Sequence, residues 1–490
     1  MMPIRVTLQR SPLTKAFTVV SINSCTNSSL FRAYSTAPNQ RPASAASTSS
    51  SSSASSTSTS STAPSTVSAE SSSTSTKRSV ADTHIPTSEV IPSFQSEDAD
   101  LDLSNLSPKA LPADFGANQD MQIDDAMKSE LRSLLATFRA PIRYAFAYGS
   151  GVFSQGSGTT NKKPMIDLIF GVTYTQHFHS LNLHQHPDHY SFMGKLGSAA
   201  ITYVQDKIGA GVYFNPYVEV NGVMIKYGIV NINTLQTDLK SWDTLYLAGR
   251  LHKPVKILRD DPTIRLANQS NLISALRCAL LLLPEQFTEF ELYKTIAGIS
   301  YLGDPRMRFR SENPHKVANI VSNQLDNFRR LYGPLIEQLP NLDFTRGTAA
   351  AGSAWSQIPQ ETQLTQDMSP LRRGNIVRRL PLSFREKLYF QYQKKFQIPR
   401  PDFQKMINLT PDQERTARKE GGLFEQRIAA DDRETLAAEV RGVIGKTVMW
   451  PSTTQSLKGI LTAGPGKSLK YLGKKRAKFN EAAGGDKKKE

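Results

Sequence analysis

Residues 142–172 read IRYAFAYGSGVFSQGSGTTNKKPMIDLIFGV and give the clearest structural signal in the chain. Apolar residues alternate with other residues up to Tyr148, which is typical of a β-strand. A Gly-Ser-Gly turn follows at residues 149–151, where small residues let the backbone bend sharply and approach a ligand closely. A second apolar run, residues 165–172, contains one carboxylate, Asp167. We therefore expect two strands joined by a turn and a polar loop, with an acid on the second strand.

The residues after the turn predict the start of a short helix, at Val152, Phe153 and Gln155, whose N-terminal N–H groups would face an anion. The order of strand, Gly-Ser turn, helix and acid-bearing strand resembles a nucleotidyltransferase of the polymerase-beta type. In that fold the turn holds nucleotide phosphates and the acid holds Mg²⁺. The resemblance implies a phosphate-binding segment formed by Tyr148, Gly149, Ser150 and Gly151, with Ser150 and Asp167 also catalytic.

Several longer motifs follow in a fixed order: YGSGVFSQ from residue 148, IDLIFGVTYTQHFHSLNLHQHPDHYS from 166, GAGVYFNPYVEVNGVMIKYGIV from 209, and DLKSWDTLYLAGRLHKPV from 238. Together they resemble the mitochondrial phosphatidate cytidylyltransferase family, closely over residues 124–337 and again at residues 451–471. The resemblance implies transfer of cytidylyl from CTP to phosphatidic acid, giving CDP-diacylglycerol and pyrophosphate for cardiolipin and phosphatidylglycerol synthesis. It also implies a winged-helix-like domain after the first domain.

Composition restricts the partners and the compartment. The 490 residues carry a net charge of +16, which points to an anionic partner, either nucleic acid or an anionic membrane. Only two cysteines are present, so a disulfide scaffold is excluded. No apolar stretch reaches the roughly 18 residues that a membrane-spanning helix needs. These features favour a protein that binds a charged surface without crossing it.

The N-terminal region has the composition of a targeting segment. No Asp or Glu occurs before Glu70, while Arg and Lys are scattered through an apolar and hydroxyl-rich background. The tetrad RAYS resembles a matrix-protease site that is cut after Tyr34. We predict a mitochondrial transit peptide at residues 1–34 and a disordered, Ser/Thr-rich spacer at residues 35–120.

We predict an α+β protein in which a polymerase-beta-type nucleotidyltransferase domain covers residues 121–260. A mainly helical, winged-helix-like domain is expected at residues 261–400, and a charge-rich helical region at 401–451. Residues 452–480 combine many lysines with apolar residues and no acid, which predicts an amphipathic basic helix that binds the membrane. Its basic residues are Lys458, Lys467, Lys470, Lys474, Lys475 and Arg476. A disordered basic tail and a nucleic-acid contact are the alternatives.

Further anion-binding groups are expected beyond the turn. Lys226 lies on an apolar strand, where a buried cation is costly without an anionic partner, so we assign it to the phosphates and to catalysis. Its alternative is a solvated lysine with a buried stem. Residues 234–252 are predicted as one helix that ends near Arg250 and Lys253, which we assign to pyrophosphate or lipid phosphate. A merely structural role for both at the helix end is the alternative.

Five of the chain's eight histidines lie at residues 177–189, a density that suggests zinc. We prefer an active-site loop, since the segment lacks a cysteine partner and an HExxH pattern. Four positions match recurring family motifs and are expected to contribute to the site: His179, Asn182, His189 and Tyr190.

The expected chemistry is attack by a phosphatidate oxygen on the α-phosphorus of CTP. The nucleophile is largely ionised near neutral pH, because the second pKa of a phosphate monoester is about 6. Catalysis then consists of positioning and charge neutralisation by one or two Mg²⁺ ions and cationic side chains. The superfamily pattern of acid–apolar–acid is reduced here to Asp167 alone. Either one carboxylate suffices with water and phosphate ligands, or Asp238 completes the site.

Two other functions remain open at this point. One is a non-catalytic inner-membrane scaffold that supports translocase assembly, and the other is a nucleotidyltransferase that modifies nucleic acid. The sequence shows no aromatic platform of the kind that RNA-binding domains use, so nucleic acid is not expected as a partner. The expected location is the matrix side of the mitochondrial inner membrane, with peripheral attachment to anionic lipids.

Overall fold

A five-stranded mixed sheet forms the core of the first half of the structure, with strand order β3-β4-β2-β1-β5. The computed structural model describes residues 103, 106–153, 164–308, 313–344, 362–408, 422–464 and 473. All of these residues belong to the unit Thr87–Glu490. The strands are β1 Tyr144–Tyr148, β2 Ile166–Val172, β3 Val212–Val220, β4 Val223–Asn231 and β5 Lys256–Arg259. The two strands predicted around the Gly-Ser-Gly turn are therefore confirmed.

The sheet register places the expected site residues side by side. Strand β1 pairs antiparallel with β2 so that Tyr148 lies opposite Asp167. Strand β2 runs parallel to β4, and Asp167 lies opposite Lys226. The hairpin of β3 and β4 turns at Asn221 and Gly222, which both have positive φ values of 51° and 75°. An Asn-Gly pair with this backbone matches the twist of a tight hairpin.

The two faces of the sheet have different neighbours. One face packs under α1 Asp125–Ala136, α2 Thr175–Gln185 and α3 Gly197–Lys207, through alternate residues such as Leu168 and Tyr227. The other face packs against α4 Ile232–Ser241 and α6 Pro262–Leu282. Because successive strand residues point to opposite faces, Tyr148, Asp167 and Lys226 all lie on the α4 and α6 side.

A helical region follows the sheet and shares its apolar core. Helix α6 leads into β6 Gln286–Thr288, which pairs with β8 Gln363–Gln366, and β8 pairs with β7 Leu342–Phe344. The remaining helices are α5 Ala248–Leu251, α7 Glu289–Gly298, α8 Pro305–Arg308, α9 Lys316–Ser322, α10 Leu325–Ile336, α11 Pro370–Arg378, α12 Leu382–Lys395, α13 Arg400–Ile407, α14 Leu423–Ala429 and α15 Arg433–Ala463. Helix α7 begins with a capping box in which Thr288 and Glu291 exchange hydrogen bonds.

The structure corrects the single helix predicted at residues 234–252. Helix α4 stops at Ser241, because Trp242 and Leu245 have positive φ values of 58° and 55°. A loop follows before the short helix α5. The helical spacing of apolar residues hides this break in the sequence, because Trp242 and Leu245 are both fully buried.

Two predicted boundaries are also wrong. The end of the spacer at residues 35–120 is packed rather than disordered, since Gln119 is buried and donates to the Arg265 carbonyl at 3.0 Å. Helix α15 runs without interruption through Pro451, so the boundary between residues 401–451 and 452–480 falls inside one helix. The predicted transit peptide lies outside the described residues, as does most of the spacer.

Candidate active site

The Gly-Ser-Gly turn packs directly on the strand that carries the acid. Gly149 has a φ of +81°, and a Cβ atom there would lie 3.4 Å from the Asp167 carboxylate. A Cβ atom on Gly151 would meet the Met165 carbonyl at 2.7 Å. Both positions therefore require glycine, one for its backbone angle and the other for the lack of space. Ser150, at the tip of the turn, is exposed.

The predicted helix after the turn begins as a single turn. The N–H groups of Val152 and Phe153 both donate to the Gly149 carbonyl, at 3.1 and 3.0 Å. Gln155 lies outside the described residues, as do Lys162 and Lys163. The described part of this segment is therefore a tight turn, and the helix beyond it stays a prediction.

Asp167 and Lys226 form the centre of the site. The Lys226 ammonium lies 3.5 Å from the Asp167 Oδ1 atom, with the two side chains 19% and 25% exposed. The Lys226 ammonium lies over the Phe214 ring, 4.5 Å from the ring centroid. A half-buried acid and base with apolar walls on adjacent parallel strands can receive a charged ligand, because the ligand's own charges can replace their mutual contact.

Tyr148 extends this row toward a cationic group. Its hydroxyl accepts a weak hydrogen bond from Arg250 Nε at 3.4 Å, and the Arg250 guanidinium covers the Tyr246 ring at 4.0 Å. Burial and the nearby Asp167 charge raise the pKa of Tyr148, so the phenol stays neutral. Arg250 is thereby held on the same side of the sheet as Asp167.

Lys253 joins the site to the helical region. Its ammonium donates to the Gly249 carbonyl and to Ser300 Oγ, the latter at 2.9 Å. The ring of Tyr301 lies between Lys253 and Lys316, at 5.3 and 5.6 Å. Burial, followed by the charges of Arg250 and Lys316, lowers the pKa of Lys253 to about 7. A lysine poised between its charged and neutral forms gains a proton when an anion binds beside it.

Comparisons with known proteins show the family of this chain. A family model described as phosphatidate cytidylyltransferase, mitochondrial, matches residues 131–478. The chain belongs to the mitochondrial phosphatidate cytidylyltransferase family.

Individual relatives of the same name cover most of the chain. The Schizosaccharomyces pombe protein is 37% identical over 356 residues, which are 72% of this chain and 84% of the relative. The Drosophila melanogaster protein is 38% identical over 351 residues, 69% of this chain and 94% of the relative. The Xenopus laevis protein is 37% identical over 354 residues, with 71% and 94% covered. The similarity therefore spans both the sheet and the helical region.

The histidine segment of this family member lies on the opposite face of the sheet. The two ring nitrogens of His179 are hydrogen-bonded, Nδ1 with the Tyr190 hydroxyl at 3.0 Å and Nε2 with Gln205 Oε1 at 2.8 Å. Burial lowers the pKa of His179 to about 4. Asn182 donates to the Tyr227 and Tyr190 hydroxyls at 2.9 and 3.0 Å, and His189 contacts Tyr227 at 2.9 Å. The structure does not bring His179, Asn182, His189 and Tyr190 to the row of Asp167 and Lys226, since these side chains form a buried polar network on the other face of the sheet.

The same segment contains a group that resembles a zinc site. Ligand atoms of His186, Asp188 and His189 lie within 4.8 Å of one another. However, the two imidazole rings stack with centroids 4.3 Å apart and an angle of 5° between their planes. The lone pairs of two stacked rings lie in separate parallel planes and do not converge on one ion. This geometry favours a structural role for the segment.

Asp238, the second carboxylate considered for the magnesium site, has a structural role instead. Its Oδ1 atom accepts from the Thr244 and Leu245 N–H groups and the Thr244 hydroxyl, and Oδ2 accepts from the N–H groups of Leu247 and Ala248. All five bonds measure 2.7–3.0 Å. The carboxylate is buried and organises the loop that breaks the predicted helix, so its oxygen atoms are not available to an ion.

We expect Asp238→Asn to destabilise the protein by about 3 kcal/mol, because an amide accepts through one oxygen only and brings unwanted donors to a loop of N–H groups. Urea unfolding followed by circular dichroism measures this loss. Asp125→Asn, on the exposed start of α1, is the control and should leave stability unchanged. Unchanged stability of Asp238→Asn with loss of metal-dependent activity would return Asp238 to the catalytic centre.

Lys458 is also placed differently from its prediction. It is 3% exposed, and its ammonium donates to the carbonyls of Gln205 and Ile208 at the end of α3. Burial lowers its pKa to about 7. It therefore anchors α15 to the catalytic half and does not reach a membrane, which corrects its assignment. The other five predicted membrane contacts, Lys467, Lys470, Lys474, Lys475 and Arg476, lie outside the described residues.

Proposed function

We propose that this protein transfers cytidylyl from CTP to phosphatidic acid, producing CDP-diacylglycerol and pyrophosphate for cardiolipin and phosphatidylglycerol synthesis. The observation that carries the proposal is the row of Tyr148, Asp167 and Lys226 across three strands beside a glycine turn. Family membership supports the same reaction. We infer that the first half has a polymerase-beta-type nucleotidyltransferase fold and that the second half is winged-helix-like, in keeping with the strand order β6-β8-β7.

The residues of the site suit a magnesium ion. Asp167 presents a carboxylate that is neither fully buried nor capped by backbone N–H groups in the described structure. Mg²⁺ keeps several waters and commonly uses one or two carboxylates together with substrate phosphates, so a single Asp fits. The ion would supply charge neutralisation at the phosphates during transfer. One or two ions remain compatible with this ligand set.

The side chains then have separate tasks. The N–H groups of residues 149–151 and the Ser150 hydroxyl would hold the triphosphate, and Lys226 would neutralise part of its negative charge. Arg250 and Lys253 would bind the leaving pyrophosphate or the lipid phosphate. Lys253 can gain a proton on binding, because its pKa is lowered to about 7. The phosphatidate oxygen needs no general base, since its phosphate is already largely ionised.

The decisive experiment follows label from CTP. Purified protein should transfer cytidylyl from labelled CTP to phosphatidic acid, while RNA offered as a competing acceptor stays unlabelled. Label on RNA would identify a nucleic-acid nucleotidyltransferase. Absence of transfer to either acceptor, with normal folding, would favour the non-catalytic scaffold.

We further propose peripheral attachment to the matrix side of the inner membrane through the C-terminal region. No helix in the described part of the chain is long and apolar enough to cross a bilayer. The end of α15 presents an exposed apolar stripe, with Trp450, Leu457 and Ile460 exposed by 72%, 63% and 51%. Beyond it follow the five basic residues of the tail. Apolar groups at the headgroup boundary and basic groups on anionic lipid would act together.

We expect a chain that ends after Gly464 to leave liposomes containing cardiolipin at moderate salt, while it keeps activity on a short-chain, soluble phosphatidate. The cut lies beyond Lys458 and Gln455, because both pack on α3 and β3 and their removal would unfold the junction. Co-sedimentation of full-length and shortened protein measures the effect. Retention of the shortened protein on liposomes would place the attachment within residues up to 464.

A further inference from the structure

The ammonium of Lys253 is held by residues from both halves of the structure. It donates to the Gly249 carbonyl of α5 and to the Ser300 hydroxyl, the latter at 2.9 Å. Ser300 belongs to the single 3₁₀ turn Ile299–Tyr301, which follows α7 in the helical region. A charged ammonium has three N–H donors and no acceptor, so the serine oxygen accepts in this contact. The helical region therefore supplies one of the groups that fix this lysine.

The close packing of α5 on the 3₁₀ turn brings Ser300 to the lysine. A Cβ atom at Gly249 would lie 2.5 Å from the Ser300 Cβ atom and 3.4 Å from its Cα atom. Any larger residue at position 249 would therefore force Ser300 and the turn away from α5. Glycine at this position permits the approach on which the contact between Ser300 and Lys253 depends.

Lys253 and the neighbouring Arg250 have neutral partners in the part of the chain that the structure describes. Arg250 donates to one phenol hydroxyl and one backbone carbonyl. Lys253 donates to a carbonyl and a hydroxyl, and its third N–H has no acceptor among the described residues. Asp304, an acid whose charge interacts with Arg250, is paired with Arg306 at 2.5 Å. Cations held partly out of water by neutral groups favour an anionic ligand.

The charge state of Lys253 is set by groups on several elements. Burial, followed by the charges of Arg250 on α5 and Lys316 on α9, lowers the pKa of Lys253 to about 7. His252 is neutral, because burial followed by the Lys253 charge lowers its pKa to about 3. Tyr301 presents its ring, 5.3 Å from the ammonium. Since a hydrogen bond to the ammonium favours the charged form, the acceptors of Lys253 oppose these effects.

We propose that Ser300 is a positioning residue that holds the Lys253 ammonium, charged and in place, for a phosphate group of the substrates. The inference rests on the proposed function, from which it takes the chemical class of the anion. Pyrophosphate and the headgroup of phosphatidic acid present the same chemistry to a lysine. Ser300 acts through Lys253 and makes no contact of its own with the anion. The anion site of the catalytic half is then completed by a residue of the helical region.

A double-mutant cycle on the full chain tests this role. Lys253→Met removes the charge and keeps an apolar stem, while Ser300→Ala removes the hydroxyl and keeps the Cβ atom that faces Gly249. Calorimetric titrations with pyrophosphate and Mg²⁺, and separately with a soluble short-chain phosphatidate, give the affinity for each phosphate source. Ser300→Ala should weaken one of the two by about tenfold, the scale of a hydrogen bond to a charged group. It should have no further effect on that affinity in the Lys253→Met background.

The pH dependence separates positioning from damage to the fold. Loss of an acceptor favours the neutral amine, so the pKa of Lys253 should fall below its value of about 7 in Ser300→Ala. The ratio of the affinities of the unaltered and Ser300→Ala proteins should therefore rise from about pH 6 to about pH 8, and titration of the ligand cancels in this ratio. A structural defect would give the same ratio at every pH.

Ser274→Ala is the matched control, because the Ser274 hydroxyl donates to the Ser270 carbonyl within α6 at 2.8 Å. Its affinities and their pH dependence should equal those of the unaltered chain. Additive effects of Lys253→Met and Ser300→Ala on both ligands, or a ratio that does not change with pH, would overturn the role of Ser300 alone, provided that the unaltered chain transfers label from CTP. An unaltered chain that neither transfers label nor binds either ligand would overturn the proposed function and this inference together.

Discussion

Purified Asp167→Asn protein is expected to lose cytidylyl transfer from CTP to phosphatidic acid by at least on the order of 10²–10³-fold, the scale of losing one preorganised electrostatic contact at a reacting phosphate. Asparagine keeps the volume of the side chain but removes the charge that would hold Mg²⁺. The pair with Lys226 is partly exposed, so its loss should change stability by no more than about 1 kcal/mol. Label transfer with Mg²⁺ in excess, combined with thermal unfolding, measures both quantities.

The control for this variant is Asp188→Asn. Asp188 is exposed and lies in the histidine segment on the far face of the sheet. It should retain full activity. Near-normal turnover by Asp167→Asn would remove Asp167 from the reaction, and a loss in the Asp188 variant would bring back the histidine segment as a catalytic loop.

Lys226→Met is expected to weaken CTP binding by about 10–100-fold, since a hydrogen bond to a charged group contributes about 1.5–3 kcal/mol. Methionine retains an apolar stem to lie across the Phe214 ring, so the melting temperature should remain close to that of the unaltered protein. Calorimetric titration with CTP and Mg²⁺ gives the affinity. Because Lys226 is also assigned to catalysis, the rate at saturating CTP should fall as well.

A matched substitution distinguishes this result from a general loss of positive charge. Lys240 is exposed on α4, and Lys240→Met removes the same charge from the same half of the protein. CTP affinity should be unaffected there. Unchanged CTP affinity in Lys226→Met together with a collapsed melting temperature would mean that Lys226 serves the fold and not the substrate.

The sequence predicts the central row of the site well, because local rules are sufficient for it. Alternating apolar residues fix the strands, and the Asn-Gly pair fixes the hairpin that returns Lys226 toward the turn. Once β2 and β4 pair, Asp167 and Lys226 must lie opposite each other on one face. Nothing beyond strand pairing is needed to bring them together.

The errors occur where tertiary contacts override local pattern. Helical spacing does not tell which face of a sheet a helix covers, so the side chain of His179 could be assigned to the wrong face. The break after α4 depends on a left-handed Trp242, and the buried Asp238 that binds the loop resembles a free carboxylate in sequence. The segment around Lys458 has the composition of the basic tail, but Lys458 lies on α15 and packs against the end of α3. One signal of the break was available in Ser241, Asp243 and Thr244, whose residue types favour turns.

The separation of the two sheet faces has a consequence for inherited variation in this gene. Changes to the network of His179, Asn182 and Tyr227 remove buried hydrogen bonds without touching a substrate contact. Proteins with such changes should lose activity on warming, with recovery in the cold or at higher expression. Alleles that alter Asp167 should fail at every temperature and resist both remedies. The phenotype alone would then report on which side of the sheet a new allele lies.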